Sequence, residues 1–536
     1  MRFLSRLVIA LVVCLVAIAL LPVATLAQDE DIRLHPRSGY VGEEVYITGT
    51  NFTDDDYWVY YETDGDWVEL LDRYDCEVDS YGDFRTEDFF IPESCKGDHE
   101  IRVCNYHSAS TSYRVAYEDF TVEPKIEIVH PSTAKGPVGT NITVKGLGFA
   151  EEEEDMELWY DDEVIESDIP VDEDGSWEVS FQIPPSAKGS HEIDAEGDES
   201  EDFEVEDVTF EVTPAIDILD GPSGSIVDEP LGSVGDNITM TGSGFYADDR
   251  YIKILFEGEE TETEPEIIRA DENGYWEASF KVPEMPTGEY SVTAEGEYTK
   301  DVNELSFEIE PGIVLSPDEG HVGTAVIVVG RGFATDEDVY IMYDGNQVKT
   351  DKTNPEGSFE VSFTVPESKH GERPVTAEDD EDNEATATFT MESDPPDTPE
   401  PLSPPDGGRV GFIGSVRPTF EWSEVSDDSG VYYSLQIAAS ANFTDTEEFV
   451  DPIVSVDRLV GTNYTLEEAD ALPNGTYYWI VQAIDGAENE SGWTEAHSFR
   501  AGLLPLWAFI VIIVLVVVLI GFLVYFFVIR KRIHYY

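Results

Sequence analysis

One block of landmarks occurs four times along this chain, and a chain that repeats itself at such spacing builds one structural unit over and over. A Val-Gly pair stands at Val41-Gly42, Val138-Gly139, Val234-Gly235 and Val322-Gly323. Ten residues after each Val comes Asn51-Phe52, Gly148-Phe149, Gly244-Phe245 and Gly332-Phe333, so both marks keep spacings of 97, 96 and 88 residues. A Gly two residues before an aromatic follows at Gly82/Phe84, Gly175/Trp177, Gly274/Trp276 and Gly357/Phe359. Last comes an apolar–Pro pair, at Ile91-Pro92, Ile183-Pro184, Val282-Pro283 and Val365-Pro366, and then Gly97, Gly189, Gly288 and Gly371.

Each unit reads as short strands. In the fourth, Phe359, Val361, Phe363 and Val365 are apolar at every second position while Glu360, Ser362 and Thr364 alternate with them. That period of two belongs to a half-buried antiparallel strand. About seven such runs, divided by Gly, Pro, Asp and Asn over roughly 90 residues, suit a β-sandwich. The predicted class is all-β: tandem β-sandwiches, for which the resemblance given next implies the immunoglobulin-like fold, followed by one C-terminal transmembrane helix. The Gly before each Phe fits a tight bend that turns the ring inward, a packing role.

The units resemble the IPT/TIG domains, which are immunoglobulin-like folds. The pattern is an opening strand ending in Pro, a Gly-bearing turn, a β-run, then Gly-x-Asn/Gly-Phe. It stands here as Leu34-His35-Pro36-Arg37-Ser38-Gly39 leading to Gly49-Thr50-Asn51-Phe52, as Pro131 leading to Gly146-Leu147-Gly148-Phe149, and as Pro317 leading to Gly330-Arg331-Gly332-Phe333. The second unit lacks a clean early Gly, and the third inserts Ser225–Leu231 before Gly232. Sandwiches are expected at 28–123, 124–213, 214–310 and 311–392. The resemblance implies a fold more than a function, since such domains serve in surface receptors, envelope proteins and transcription factors. Ser393–Gly408 holds six Pro and reads as a stiff linker. Residues 409–502 resemble a fibronectin type III domain, which implies that Trp422 is a core residue and Tyr477 the tyrosine corner.

The two ends decide where these modules sit. Residues 1–27 read as a signal peptide, with Arg2 and Arg6 ahead of a fifteen-residue apolar run, Leu7–Leu21, and a small-residue cleavage site ending at Ala27. Leu503–Ile529 is 27 residues without a charge, long enough to span a bilayer, and Arg530-Lys531-Arg532 after it should stay cytoplasmic. That leaves a seven-residue tail, 530–536, and predicts a single-pass type I protein whose bulk is extracellular. The exported portion carries 114 acidic against 25 basic residues, a net of −89. Such a polyanion repels phosphate, which excludes nucleic acid as a partner, and it binds cations diffusely.

Chemistry-bearing constellations are few. Acidic clusters follow the Phe landmark at Asp54-Asp55-Asp56 and Asp336-Glu337-Asp338, with others at Glu151–Asp155, Asp248-Asp249, Asp427-Asp428 and Asp485. Oxygens converging from loops at sandwich junctions would suit calcium, although a solvated loop is the plainer reading and no twelve-residue calcium loop is present. No other cofactor is expected. Beyond the signal, Cys76, Cys95 and Cys104 all fall in the first module, and export permits a disulfide. Cys95 and Cys104 bracket a strand too long to bridge, which favours Cys76 as one partner; Cys76–Cys104 is the candidate pair, although the inward pattern of Ile101 and Val103 turns Cys104 outward. No zinc-spaced His pair, Gly-x-Ser-x-Gly elbow or phosphate loop occurs, so no catalytic residue is expected and the chain reads as a non-enzyme. Asn-x-Ser/Thr triplets start at Asn51, Asn141, Asn237, Asn442, Asn463, Asn474 and Asn489.

The first module is the expected tip. Its Tyr57, Trp58 and Trp67 are candidate contacts for a glycan or protein partner, against the plainer reading that alternate members of Tyr57–Tyr61 are core. Five sandwiches end to end would project roughly 150–200 Å, at ~33 Å per ten-residue strand. The leading expectation is a surface-anchored stalk that binds an extracellular ligand; the alternatives are an envelope spacer without a ligand and a membrane-tethered hydrolase.

Overall fold

The computed structural model describes residues 30–533, other than 54–55, 64, 152, 202–204, 222 and 504–505. The expected signal peptide at 1–27 lies outside the described residues, as do Asp54 and Asp55. The chain divides into two compact units, and the division runs through the third module. Its residues 239–280 and 291–305 belong with those up to Val227; its residues 228–238 and 281–290 belong with those from Ser306 on.

The first module shows the plan. Strands β1 (Asp31–His35), β3 (Glu44–Thr50) and β6 (Phe84–Arg85) form one sheet, to which β7 (Phe89–Phe90) adds through β3. The facing sheet has the order β2-β9-β8-β4-β5, built from β2 (Ser38–Gly39), β4 (Trp58–Thr63), β5 (Asp66–Leu71), β8 (Gly97–Cys104) and β9 (Arg114–Val122). The chain crosses from β1 to β2 at Pro36, after a cis peptide bond, so its first strand serves both sheets; β2 then runs parallel to β9. Ile32, Leu34, Val45, Ile47, Val59, Ile101, Val103 and Phe120 interdigitate between the sheets. Alternation along each strand is what places them there.

The same order recurs. In the second module 125–130, 141–147 and 177–182 face a sheet of 135–136, 208–212, 189–196, 157–160 and 163–166. In the fourth, 312–316, 325–331 and 359–364 face 319–320, 384–391, 371–379, 338–343 and 346–352. The last module, whose sequence breaks the landmark pattern, keeps the topology: 401–403, 419–422 and 463–465 face 408–410, 497–501, 475–485, 431–438 and 454–459. Trp422 and Tyr477 are buried in its core, and the Tyr477 hydroxyl donates to the Pro473 carbonyl at 3.1 Å. The stretch read as a linker at 393–408 is a linker only in part. Pro401–Ser403 is an edge strand paired with Trp422 and Glu421, a place where Pro is tolerated because no ladder donor is missed there.

The recurring marks meet in space. Phe52 packs edge-on against Phe84 (4.7 Å between centroids), Phe149 against Trp177 (5.5 Å), Phe245 against Trp276 (5.5 Å) and Phe333 against Phe359 (5.3 Å). Under each second ring lies a glycine, Gly49, Gly146, Gly242 or Gly330, where a Cβ would fall 1.9, 2.1, 2.1 or 2.0 Å from a ring atom. Beyond the last module, α1 (Leu506–Ile533) carries an uninterrupted apolar stretch, Leu506–Val528, 23 residues with no buried side chain. By length and composition it can cross a membrane.

Candidate ligand and cation sites

The outer face of the first module's five-stranded sheet differs from its counterparts. Register sets Trp58 beside Cys104 and Cys104 beside Arg114; one row on, Glu69, Tyr60, Arg102 and Tyr117 stand side by side across β5, β4, β8 and β9. Arg102 stacks over Trp67 at 3.7 Å and Arg114 over Tyr117 at 4.1 Å, while Glu100 accepts from both guanidinium groups, at 2.5 and 3.0 Å. Burial by itself would raise the Glu100 carboxyl, but the hydrogen bonds from Arg102 and Arg114 hold it below its ordinary value.

Residues 105–113 fold over this face. Arg102 donates to the Ala109 carbonyl at 2.6 Å, and His107 stacks on Trp58 at 5.8 Å with Nε2 2.6 Å from Glu69. The cover leaves Cys104 fully buried, and burial pushes its thiol up to about 11. Tyr106 and Tyr113 stack on one another at 4.7 Å and remain 57% and 40% exposed, with Tyr117 53% exposed on the adjoining strand. The corresponding strand in the second module presents Glu192, Asp194 and Glu196, and in the fourth Glu372, Thr376 and Glu378.

The structure separates the three aromatics singled out from the sequence. Tyr57 is fully buried between Phe52 and Phe84, so it is a core residue and not a ligand contact. Trp58 and Trp67 lie half-buried on the outer face, and Trp67 is covered by Arg102. Alternation explains the split: Tyr57, Val59 and Tyr61 point inward. The platform of Tyr106, Tyr113 and Tyr117 escaped sequence reading because two of its rings belong to a loop, where no periodicity marks a face.

Cys76 and Cys104 are free thiols, so the expected bridge between them is not formed. Cys76 sits in the core between the sheets, whereas Cys104 is on the opposite, outer face of β8.

Among the described residues the repeated acidic clusters do not come together. Asp56 is exposed, 3.7 Å from Arg73. Asp336 occupies a turn at φ 56°, the Glu337 amide donates to Thr353 Oγ1, and Asp338 opens a strand. Asp249 and Asp379 are buried but already satisfied by backbone amides: Asp249 accepts from Tyr298 and Thr299 of a distant loop, Asp379 from Ala334 of a distant loop and from Glu381 and Asn383 of its own. Among the described residues the carboxylates that converge are Glu392, Asp427 and Asp485, with oxygens within 4.8 Å of one another. Glu392 and Asp427 border a cavity of about 450 Å³ that His321, Asp394 and Asp428 also line. Asp485 is buried and takes both the Ala487 and Asn489 amides at 2.8 Å; Glu392 accepts from Ser429 Oγ at 2.5 Å. Burial pushes the Asp427 carboxyl up; the Ser429 amide opposes this, and the charges of Asp485 and Asp428 add to it. Three carboxylates this close are stabilised by a proton or by a hard cation with oxygen ligands.

Comparison with known proteins names the module. Residues 124–212 match the IPT/TIG domain. The second sandwich is an IPT/TIG domain. The first, third and fourth sandwiches repeat its landmarks, and the first and fourth its sheet order. No curated protein matches the chain. Among solved structures it is similar to the tetra-tandem repeat in the extending region of a large adhesion protein, at 11% identity over 68% of this chain and all of that one, with a TM-score of 0.18. It is also similar to the FN1–FN3 domains of chicken CNTN1, at 14% identity over 54% of this chain and all of that one, with a TM-score of 0.19. Escherichia coli alpha-2-macroglobulin aligns at 12% identity over 88% of this chain, which spans 40% of that protein, with a TM-score of 0.15. At these values the solved structures add nothing on activity to what the sheets already show.

Proposed function

We propose that this is a membrane-anchored, extracellular multi-module protein that binds a protein or glycan ligand through the outer sheet face of its first IPT/TIG-like sandwich. The observation that carries the reading is the exposed stacked pair Tyr106–Tyr113, with the exposed Tyr117 under Arg114 on β9, next to a strand, β8, whose counterparts in the second and fourth modules present mainly carboxylates and threonine. Aromatic rings supply large contact area at low entropic cost, and Arg adds a directional donor. The apolar helix at the other end of the chain supports anchorage.

The experiment is binding of the detergent-solubilised full chain to glycan and protein arrays, beside a Tyr106→Ala/Tyr113→Ala/Tyr117→Ala variant. Loss of a captured ligand by tenfold or more is expected for removal of central aromatic contacts, which are worth about 2 kcal/mol each. Equal capture by the variant would place the ligand elsewhere. The second reading, a spacer without a ligand, draws on the docked modules described next. It predicts that a chain lacking residues 28–123 keeps its biological effect and that only total length matters.

A further inference from the structure

Two of the recurring landmarks have no part in ligand binding, and the structure brings them together across module boundaries. The backbone amide just before the Gly of the apolar–Pro loop donates to a carbonyl of the following module. Lys96 donates to the carbonyl of Phe149, Lys188 to that of Phe245 and Thr287 to that of Phe333, at 2.8, 2.8 and 3.4 Å. In the last pair His370 donates to the Ala487 carbonyl at 2.7 Å. The receiving Phe is the landmark Phe, and the Gly of the Gly-x-aromatic mark lies against the same contact. A Cβ on Gly175 would fall 2.2 Å from the Phe149 carbonyl oxygen and 2.9 Å from Cys95 Cα; on Gly357, 2.1 Å from the Phe333 oxygen and 3.0 Å from Pro286 Cα. Those glycines clear room for a neighbour's loop as well as for their own turn.

Side chains reinforce the contact. Glu93, directly after Pro92, meets Lys145 at 2.6 Å and Ser176 at 3.3 Å. Glu284 accepts from Ser358 at 2.8 Å, and Glu367 accepts from Tyr432 and, at 2.5 Å, from Arg458. The second loop has Pro185 at that position. Apolar burial joins in: Leu147 of the second module completes the core of the first, and Ala487 of the last completes the core of the fourth.

We infer that the segments 91–97, 183–189, 282–288 and 365–371 are joint loops, each docking its module onto the next, so that neighbouring sandwiches open as coupled pairs and not as beads on free linkers. The recurring apolar–Pro and Gly-x-aromatic marks are the two halves of that joint, which is why they recur together. In a tandem array such nearest-neighbour terms add to the stability of each repeat. The joint is independent of which ligand the first module takes.

Amide hydrogen exchange at single-residue resolution, on the full chain in detergent, tests this. In the unaltered chain the Lys96, Lys188 and Thr287 amides should exchange at least about a hundredfold more slowly than in unstructured peptide. In a Glu93→Ala/Glu284→Ala variant Lys96 and Thr287 should speed up about two- to fivefold, the worth of a half-exposed ion pair or hydrogen bond. Lys188, whose loop lacks the Glu, should not change. Free-peptide exchange in the unaltered chain overturns the inference, as does a variant in which Lys188 accelerates equally or no joint amide accelerates.

Discussion

At the scale of single residues, glycine does two separate jobs in this chain. Gly148, Gly244 and Gly332 sit at φ 72°, 63° and 70°, the left-handed region that a side chain disfavours. Gly49, Gly146, Gly242 and Gly330 have ordinary torsions but lie flat beneath an aromatic ring, where any Cβ would overlap it. Gly330→Ala should therefore act through overpacking, lowering the stability of the fourth module by about 1–3 kcal/mol. A thermal melt of the full chain reads this as an earlier transition, and an unchanged melt would mean that the Phe359 ring shifts without cost. The motif Gly-x-Gly-Phe was legible in the sequence as a bend. Its first Gly could not be read as a ring contact, because the ring comes from a strand about thirty residues further on in the second to fourth modules.

At the scale of elements, the loops of the last module place charge where charge is costly. Asp427 is a carboxyl raised above its ordinary value, chiefly by burial. Such a group favours the folded state while protonated, and that contribution is lost as pH rises through its raised value, starting from the ordinary 3.8. Glu367 has the opposite sign, held low by hydrogen bonds from Tyr432 and Arg458, so its contribution is present above 4.5 and is lost on acidification. Asp427→Asn should raise the melting temperature at neutral pH, with the gain shrinking as pH falls toward 3.8. A gain independent of pH would show that the cost of burying the charged Asp427 carboxylate is not the cause. Running the same melts with calcium and with chelator distinguishes a cation from a proton as the relief: a calcium-dependent rise in the parent that Asp427→Asn abolishes identifies the cation. The strands themselves were readable from alternation, as in Phe359–Val365. The convergence of the triad was not, because its members lie 35 and 58 residues apart along the chain and meet only when two loops and a strand end fold together.

At the scale of the whole molecule, direction relative to the membrane decides what the modules can meet. A single apolar stretch of 23 residues follows five sandwiches, and a basic triplet follows the stretch. In the proposed membrane-anchored protein the positive-inside rule puts that triplet on the cytoplasmic side. Protease added to intact cells should therefore digest the sandwiches and leave a small fragment containing α1. Full protection of the chain upstream of α1 would reverse the topology and remove an extracellular ligand from consideration. The net charge of −89 on residues 28–529 belongs to this scale too: it keeps such a surface hydrated and turns away anionic polymers, without selecting a ligand.

Fold class, the number of repeats and the apolar helix follow from local regularities: a period of two, turn residues at fixed offsets and an unbroken apolar run, each a property of neighbouring residues. Tertiary structure alone decided which of Tyr57, Trp58 and Trp67 faces outward, that Tyr106 and Tyr113 stack on one another, that Cys76 lies in the core, and that the landmarks of one module meet those of the next. Those outcomes depend on register and on contacts between segments far apart in the chain, where burial and charge are set by partners that no local window contains.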